Sequence, residues 1–253
     1  MKFKTKSRLI YLTRARHRGG HGIHSPFLYR LITSVIEDKQ KLPDYMVLNG
    51  LKKIALKLLR NSAEPIIQEL FKKFNLPVTK PHKLYRKVEM PEKYTEVIFR
   101  LIRELKPNAV IHYGDTLGIN LSAAAMAQNQ KGVYQVSNNP EYRLFCDKLP
   151  DKSMASNIQW INGKTESSVK AGFLIINCPE QPKLTESIIQ KSLGRDGDNG
   201  VLIVRGIHET AEAEAIWLKL IASNSVRVSL DLFEIGIALF CKRLQKENFI
   251  YRI

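Results

Sequence analysis

The stretch Val110-Ile111-His112-Tyr113-Gly114-Asp115-Thr116-Leu117-Gly118-Ile119-Asn120 reads as a buried strand, a glycine turn and the start of a helix. A short apolar run follows Pro107, Gly114 and Gly118 permit tight backbone geometry, and residues 121–127 form a small-residue helix able to pack closely. Such a turn aims free backbone N–H groups at a ligand. In a parallel α/β sheet, nucleotide-like ligands sit beside the carboxyl end of the first strand, against the N-terminus of the next helix. The G-x-x-x-G spacing fits equally a strand-to-helix turn that needs glycine only for close packing.

Working outward, residues 132–136, 157–161, 173–176 and 200–204 read as short apolar strands, separated by helical stretches at 140–149 and 183–193. A helix over 210–222 follows, and then 226–230 and 235–240 as a terminal antiparallel pair. Strands that alternate with helices imply right-handed crossovers and a mostly parallel sheet. Upstream, residues 91–105 carry Tyr94, Val97, Ile98, Leu101, Ile102 and Leu105 on one helical stripe. Apolar and basic positions alternate at helical spacing over 45–59 and 65–74, before a breaker-rich segment at 76–82. Ser25 followed by Pro26 marks the start of a helix running to about Glu37. Residues 1–24 read as an arm with a short helix around Arg8 to Arg16.

The net charge of +16 is concentrated at one end. Residues 1–107 hold 24 Lys and Arg against 9 Asp and Glu, and the eight basic residues before Leu31 face no acidic one. That asymmetry fits a polyanion such as nucleic acid as neighbour, or a solvated basic face. With 44% hydrophobic residues, the chain still has no apolar run of membrane-spanning length and no secretory signal, so a cytoplasmic location is expected. Cys146, Cys178 and Cys241 are far apart, which argues against a disulfide framework and a zinc site. His21 and His24 have metal-like spacing without a third ligand nearby, and histidines in that setting more often order a turn.

Three segments carry a family resemblance: His21-Gly22-Ile23-His24-Ser25-Pro26-Phe27, the turn from Gly114 to Ile119, and the tail from Leu230-Asp231-Leu232-Phe233-Glu234-Ile235-Gly236-Ile237 through Phe249-Ile250. In them the chain resembles class I S-adenosylmethionine (SAM)-dependent methyltransferases, within them an O-methyltransferase-like group with a basic helical N-terminal extension. The resemblance implies a Rossmann-like methyltransferase sheet, seven-stranded and mostly parallel with a C-terminal antiparallel hairpin, flanked by helices. Residues 1–90 would form the extension or cap and 91–253 the methyltransferase domain.

The same resemblance places His112, Gly114, Asp115, Gly118, Ser137, Asn138, Gly163, Lys164 and Asn177 around SAM, and His208 as general base beside a small-molecule acceptor. Several of these depart from the family pattern. His112 stands where a carboxylate usually helps fix the methionine end, and Ser137-Asn138 where an acidic residue accepts the ribose hydroxyls. Lys164 follows Gly163 in place of an aspartate near the adenine amino group, and lysine cannot accept that hydrogen bond. Asn177 and Arg205-Gly206 replace the carboxylates that hold a divalent cation in metal-dependent relatives. No metal is therefore expected, although Cys178 and Glu209 lie close by in sequence. Two functions follow: a SAM-dependent O-methyltransferase-like protein with weakened or lost activity, or a non-catalytic relative that binds an acidic partner through its basic N-terminal part.

Overall fold

The computed structural model describes residues 3–15, 23, 25–128, 132–137, 139–150, 157–161, 171–177, 179, 181–193 and 200–253. The chain divides into two compact units, Lys39–Lys170 and a second built from Met1–Asp38 with Ala171–Ile253.

In the Lys39–Lys170 unit, strands β1 (Val110–Gly114), β2 (Val133–Val136) and β3 (Ile158–Ile161) pair in parallel, with β2 between the other two. Helices α3 (Pro43–Leu58), α4 (Pro65–Lys73), α5 (Pro81–Val88) and α6 (Glu92–Leu105) precede β1. Each of α3, α4 and α5 begins at a proline, which costs nothing at the first helical position because that N–H lacks an intrahelical acceptor anyway. The expected breaker segment therefore ends earlier than its composition suggests, with Pro81 opening a helix. The stripe of α6 is buried, and the helix stops where Lys106 turns left-handed (φ 46°) and its N–H reaches the Ile102 carbonyl at 2.9 Å. Helix α7 (Ile119–Gln128) presents the buried alanines Ala123, Ala124, Ala125 and Ala127, so neighbouring backbone can approach closely. Helix α8 (Pro140–Cys146) completes this unit.

In the second unit, β4 (Phe173–Asn177) and β5 (Val201–Arg205) are parallel and buried along their whole length. Antiparallel β7 (Ile235–Leu239) lies beside β5, and β6 (Val228–Asp231) pairs antiparallel with β7. The expected hairpin is present. An eighth strand, β8 (Glu247–Ile250), pairs in parallel with β6; it was not anticipated because its half-polar tetrapeptide has no pattern of its own. Helices α9 (Pro182–Leu193) and α10 (Ala211–Ala222) belong here, the latter capped by the Thr210 hydroxyl, which accepts from the Ala213 N–H at 3.1 Å. The architecture is thus mixed α/β, mostly parallel with antiparallel strands towards the C-terminus, the class expected.

The N-terminal part differs in detail from its sequence reading. Helix α1 runs Phe3–Arg14, one turn earlier than expected, because Ser7 and Tyr11 are buried against the second unit and fix its register. Helix α2 (Pro26–Leu31) has the Ser25 cap, with the Leu28 N–H donating to its hydroxyl at 3.4 Å. It then widens into a π-helical turn over Ile32–Ile36 that buries Ile32, Val35 and Ile36 together. His21 and His24 lie outside the described residues.

Close packing makes one glycine of β7 indispensable. A Cβ on Gly236 would meet Trp217 of α10 at 2.6 Å. Gly236→Ala is expected to destabilise the protein by about 1–3 kcal/mol in urea unfolding and to shift tryptophan emission. An unchanged midpoint would show that the indole yields without cost.

Candidate functional site

The glycine turn in the Lys39–Lys170 unit joins β1 to α7, with Gly114 at φ 101° and Gly118 at φ 97°. Both angles lie where residues with a Cβ are strained. A Cβ on Gly118 would also come within 2.5 Å of Leu149 and 3.4 Å of the Cys146 sulfur, so close packing is part of what this glycine provides.

The N–H groups expected to face a ligand are already occupied. Glu89, 1% exposed between α5 and α6, accepts from the Leu117 N–H at 2.6 Å, the Ile119 N–H at 3.3 Å and the Thr116 hydroxyl at 2.9 Å through Oε1. Its Oε2 accepts from the Asn120 N–H at 3.0 Å. The Gly118 N–H turns to the Thr116 hydroxyl oxygen at 2.9 Å. This corrects the expectation of free donors, and the reason is physical. A buried helix N-terminus cannot leave its N–H groups unsatisfied, and a carboxylate there also meets the positive end of the helix dipole. Sequence reasoning missed Glu89. The available signal was its isolation, as the only acidic residue between Glu69 and Glu92 in an otherwise basic stretch.

Around the turn, Asp115 is engaged by three side chains. Asn139 donates to Oδ1 at 2.5 Å, the Ser137 hydroxyl donates to the same oxygen at 3.4 Å, and the Lys73 ammonium pairs with Oδ2. The Lys73 ammonium also stands 5.0 Å from the ring centroid of buried Tyr142. Gln135, in register with His112, donates to the Gly114 carbonyl at 2.6 Å, and His112 is fully buried on β1. Burial, with the negative charges of Asp115, Glu141 and Glu89, pushes the Tyr142 phenol far up. Burial likewise holds the Cys146 thiol protonated, aided by Glu89 and Asp147. Of the expected cofactor residues, Gly114, Asp115, Gly118 and Ser137 come together here. Asn138, Gly163 and Lys164 lie outside the described residues.

Asn177 and His208 belong to the second unit. Asn177 ends β4, and Arg205, ending β5, donates to its Oδ1 at 2.8 Å. His208 follows in the turn after β5 and is 8% exposed. Its Nε2 lies 2.8 Å from Asp231 Oδ2 and its Nδ1 3.6 Å from Glu214 Oε2, while the ring stacks on Phe233 at 5.3 Å. Asp231 is itself fixed by the Phe233 N–H, which donates to Oδ1 at 2.8 Å. Burial alone would lower the His208 pKa, but the hydrogen bond to Asp231 and the charges of Asp231 and Glu214 outweigh it and raise the pKa above its ordinary value. An imidazole flanked by two carboxylates favours its protonated form, which cannot accept a proton.

Helix α1 covers this histidine. Lys4 donates to Glu209 at 2.6 Å and to Glu234 at 3.0 Å, the Ser7 hydroxyl donates to Glu214 at 3.3 Å, and the Tyr11 hydroxyl donates to the Tyr251 carbonyl at 2.5 Å. Burial opposes the charge on Lys4, yet its two carboxylate partners hold the pKa above the usual lysine value. Glu209 is thereby committed to Lys4, and Cys178 lies outside the described residues. Among the described residues, no group of three or more His, Cys, Asp and Glu side chains is arranged to hold a metal ion.

The sequence matches no protein-family model and no curated protein. Its fold does have solved counterparts. An O-methyltransferase from Bacillus cereus in complex with S-adenosylhomocysteine (SAH) superposes with a TM-score of 0.53 at 10% identity, over 84% of this chain and 97% of that one. An SAH-bound methyltransferase from Podospora anserina gives 0.53 at 10% identity, covering 86% and 97%. The O-methyltransferase of tomaymycin synthesis from Streptomyces achromogenes, in complex with SAM, gives 0.52 at 12% identity, covering 74% and 89%. The fold is the Rossmann-like α/β fold that these methyltransferase structures share.

Two outcomes test the geometry. Glu89→Ala strips the turn of its acceptor and is expected to cost about 2–4 kcal/mol in urea unfolding, with Glu89→Gln costing less because the amide oxygen still accepts. Equal stability of all three proteins would remove Glu89 from its capping role. For His208, whose folded pKa is raised, the stabilising contribution is complete below its unfolded pKa and is lost as pH rises through the folded value. The stability difference between the protein and His208→Gln should therefore shrink as pH rises from below the ordinary histidine value through the raised folded one. A difference that grows with pH contradicts the assignment.

Proposed function

We propose that this chain is a SAM-dependent methyltransferase-like protein of O-methyltransferase type whose cofactor binding is weakened. The fold and the SAM- and SAH-bound state of its solved counterparts support the first part. The weakening rests on one observation: the buried Glu89 carboxylate takes the donors at the N-terminus of α7.

Tested against SAM, the described residues do not fit as they stand. A ligand needing acceptors for its ribose hydroxyls and ammonium group meets Asp115 already engaged by Lys73, Asn139 and Ser137. A ligand carboxylate at the helix N-terminus would meet the like charge of Glu89. Losing two charge-assisted hydrogen bonds, each worth about 1.5–3 kcal/mol, spans roughly the gap between micromolar and millimolar affinity.

Within this reading, the cofactor-facing set comprises His112, Gly114, Asp115, Gly118, Ser137, Asn138, Gly163, Lys164 and Asn177, with His208 as the group assigned to a small-molecule acceptor. Its doubly paired imidazole favours the protonated form, which cannot accept a proton, in keeping with a weakened or lost activity. Residues 1–90 serve as a basic extension to a methyltransferase domain over 91–253, in a cytoplasmic protein. The charge asymmetry favours a second reading, in which the N-terminal part meets an acidic partner.

Calorimetric titration with SAM and SAH discriminates. The expected result is a dissociation constant near or above about 1 mM. A micromolar constant would overturn the weakening. Complete absence of heat at several times that concentration would remove the cofactor from the reading and leave only the fold.

A further inference from the structure

We infer that the outer face of α1 docks on an anionic lipid bilayer. The inference rests on the second reading above and names its acidic partner.

The side of α1 that carries Lys4, Ser7 and Tyr11 is bound to its own unit, so the opposite side is the one presented outward. That side centres on Leu9, 54% exposed, with Lys6, Ile10 and Leu12 exposed on its flanks. Lys6, Leu9 and Ile10 share one flank at i, i+3 and i+4, and the exposed Arg14 lies one turn beyond Ile10. Phe27 and Tyr29 of α2 are exposed as well, at 37% and 49%. Among the described residues, six of the eleven exposed large hydrophobic side chains fall in residues 3–29, a stretch whose sequence holds no acidic residue.

That combination selects among acidic partners. A phosphate backbone rewards Lys and Arg but gains nothing from exposed Leu9, Ile10 and Leu12. A bilayer surface uses both kinds of side chain. A helix lying in the interface buries its apolar residues at the headgroup–acyl boundary, while lysines and arginines reach back to anionic headgroups. A second copy of the chain is disfavoured as occupant, since pairing this face with itself would bring two acid-free basic surfaces together. No described helix is long and apolar enough to cross a membrane, so the association is peripheral. The ion pairs from Lys4 to Glu209 and Glu234 hold the helix in its docked orientation, so its outer face is presented without refolding.

Cosedimentation of the full chain with phosphatidylcholine vesicles, with or without about 30% phosphatidylserine, tests the inference. Binding is expected to the phosphatidylserine vesicles, falling at least about tenfold on pure phosphatidylcholine and in about 0.5 M salt. The exposed double substitution Leu9→Gln with Leu12→Gln should lower it by about tenfold with unchanged circular dichroism and melting temperature, and Lys6→Glu with Arg14→Glu should do the same. Absence of binding to phosphatidylserine vesicles overturns the inference, as does binding insensitive to the leucine substitutions. Salt-sensitive binding to single-stranded RNA without vesicle binding would overturn it while leaving the acidic-partner reading standing. Binding to neither would remove both.

Discussion

A carboxylate at a helix N-terminus governs how this protein builds the most informative stretch of its sequence. Helix α7 starts in a buried environment, where unsatisfied N–H groups are costly, and Glu89 answers three of them together with the Thr116 hydroxyl. The arrangement fixes more than the helix. It ties the segment between α5 and α6 to the β1–α7 turn, a contact across some thirty residues of chain. The geometry that makes a glycine turn suited to receive an anion is retained, and the anion is internal.

Electrostatics then shapes what surrounds the turn. Lys73 and Asp115 form an ion pair whose carboxylate partner is mostly buried, and the ammonium also lies over the Tyr142 ring. The second unit repeats the theme with different residues. There His208 sits between Asp231 and Glu214, and Lys4 between Glu209 and Glu234. In each case a cation from one segment is matched to carboxylates from another, so that side chains read singly as candidate site residues serve to join elements. A partly buried pair of this kind is weak evidence of net stabilisation, but removing one partner leaves the other uncompensated.

Most of the fold was legible in the sequence, for a physical reason. The strands β4 and β5 are continuous apolar runs bounded by breakers, and the stripe of α6 repeats at helical spacing, so burial itself wrote their pattern. The Ser25-Pro26 start signal was legible because its chemistry is local. Features ordered by distant contacts were not. Strand β8 exists because β6 supplies its hydrogen bonds, and α1 takes its register from Ser7 and Tyr11, whose partners are more than two hundred residues away. The candidate site was half legible. Gly114, Asp115, Gly118 and Ser137 could be grouped by motif, but no pattern told that Glu89 would face the turn, or that His208 would be held by Asp231 and Glu214.

The commitments of the carboxylates around the turn have a simple explanation. With 40 basic residues against 24 acidic, carboxylates are the scarce partner in this chain. Where a cofactor site needs free acceptors, an acidic side chain must remain uncommitted in the folded protein and wait for its ligand. Here the two described around the turn, Glu89 and Asp115, are drawn to the helix N-terminus and to Lys73. The fold itself rests chiefly on buried apolar strands and helix packing, with Glu89 completing the β1–α7 turn.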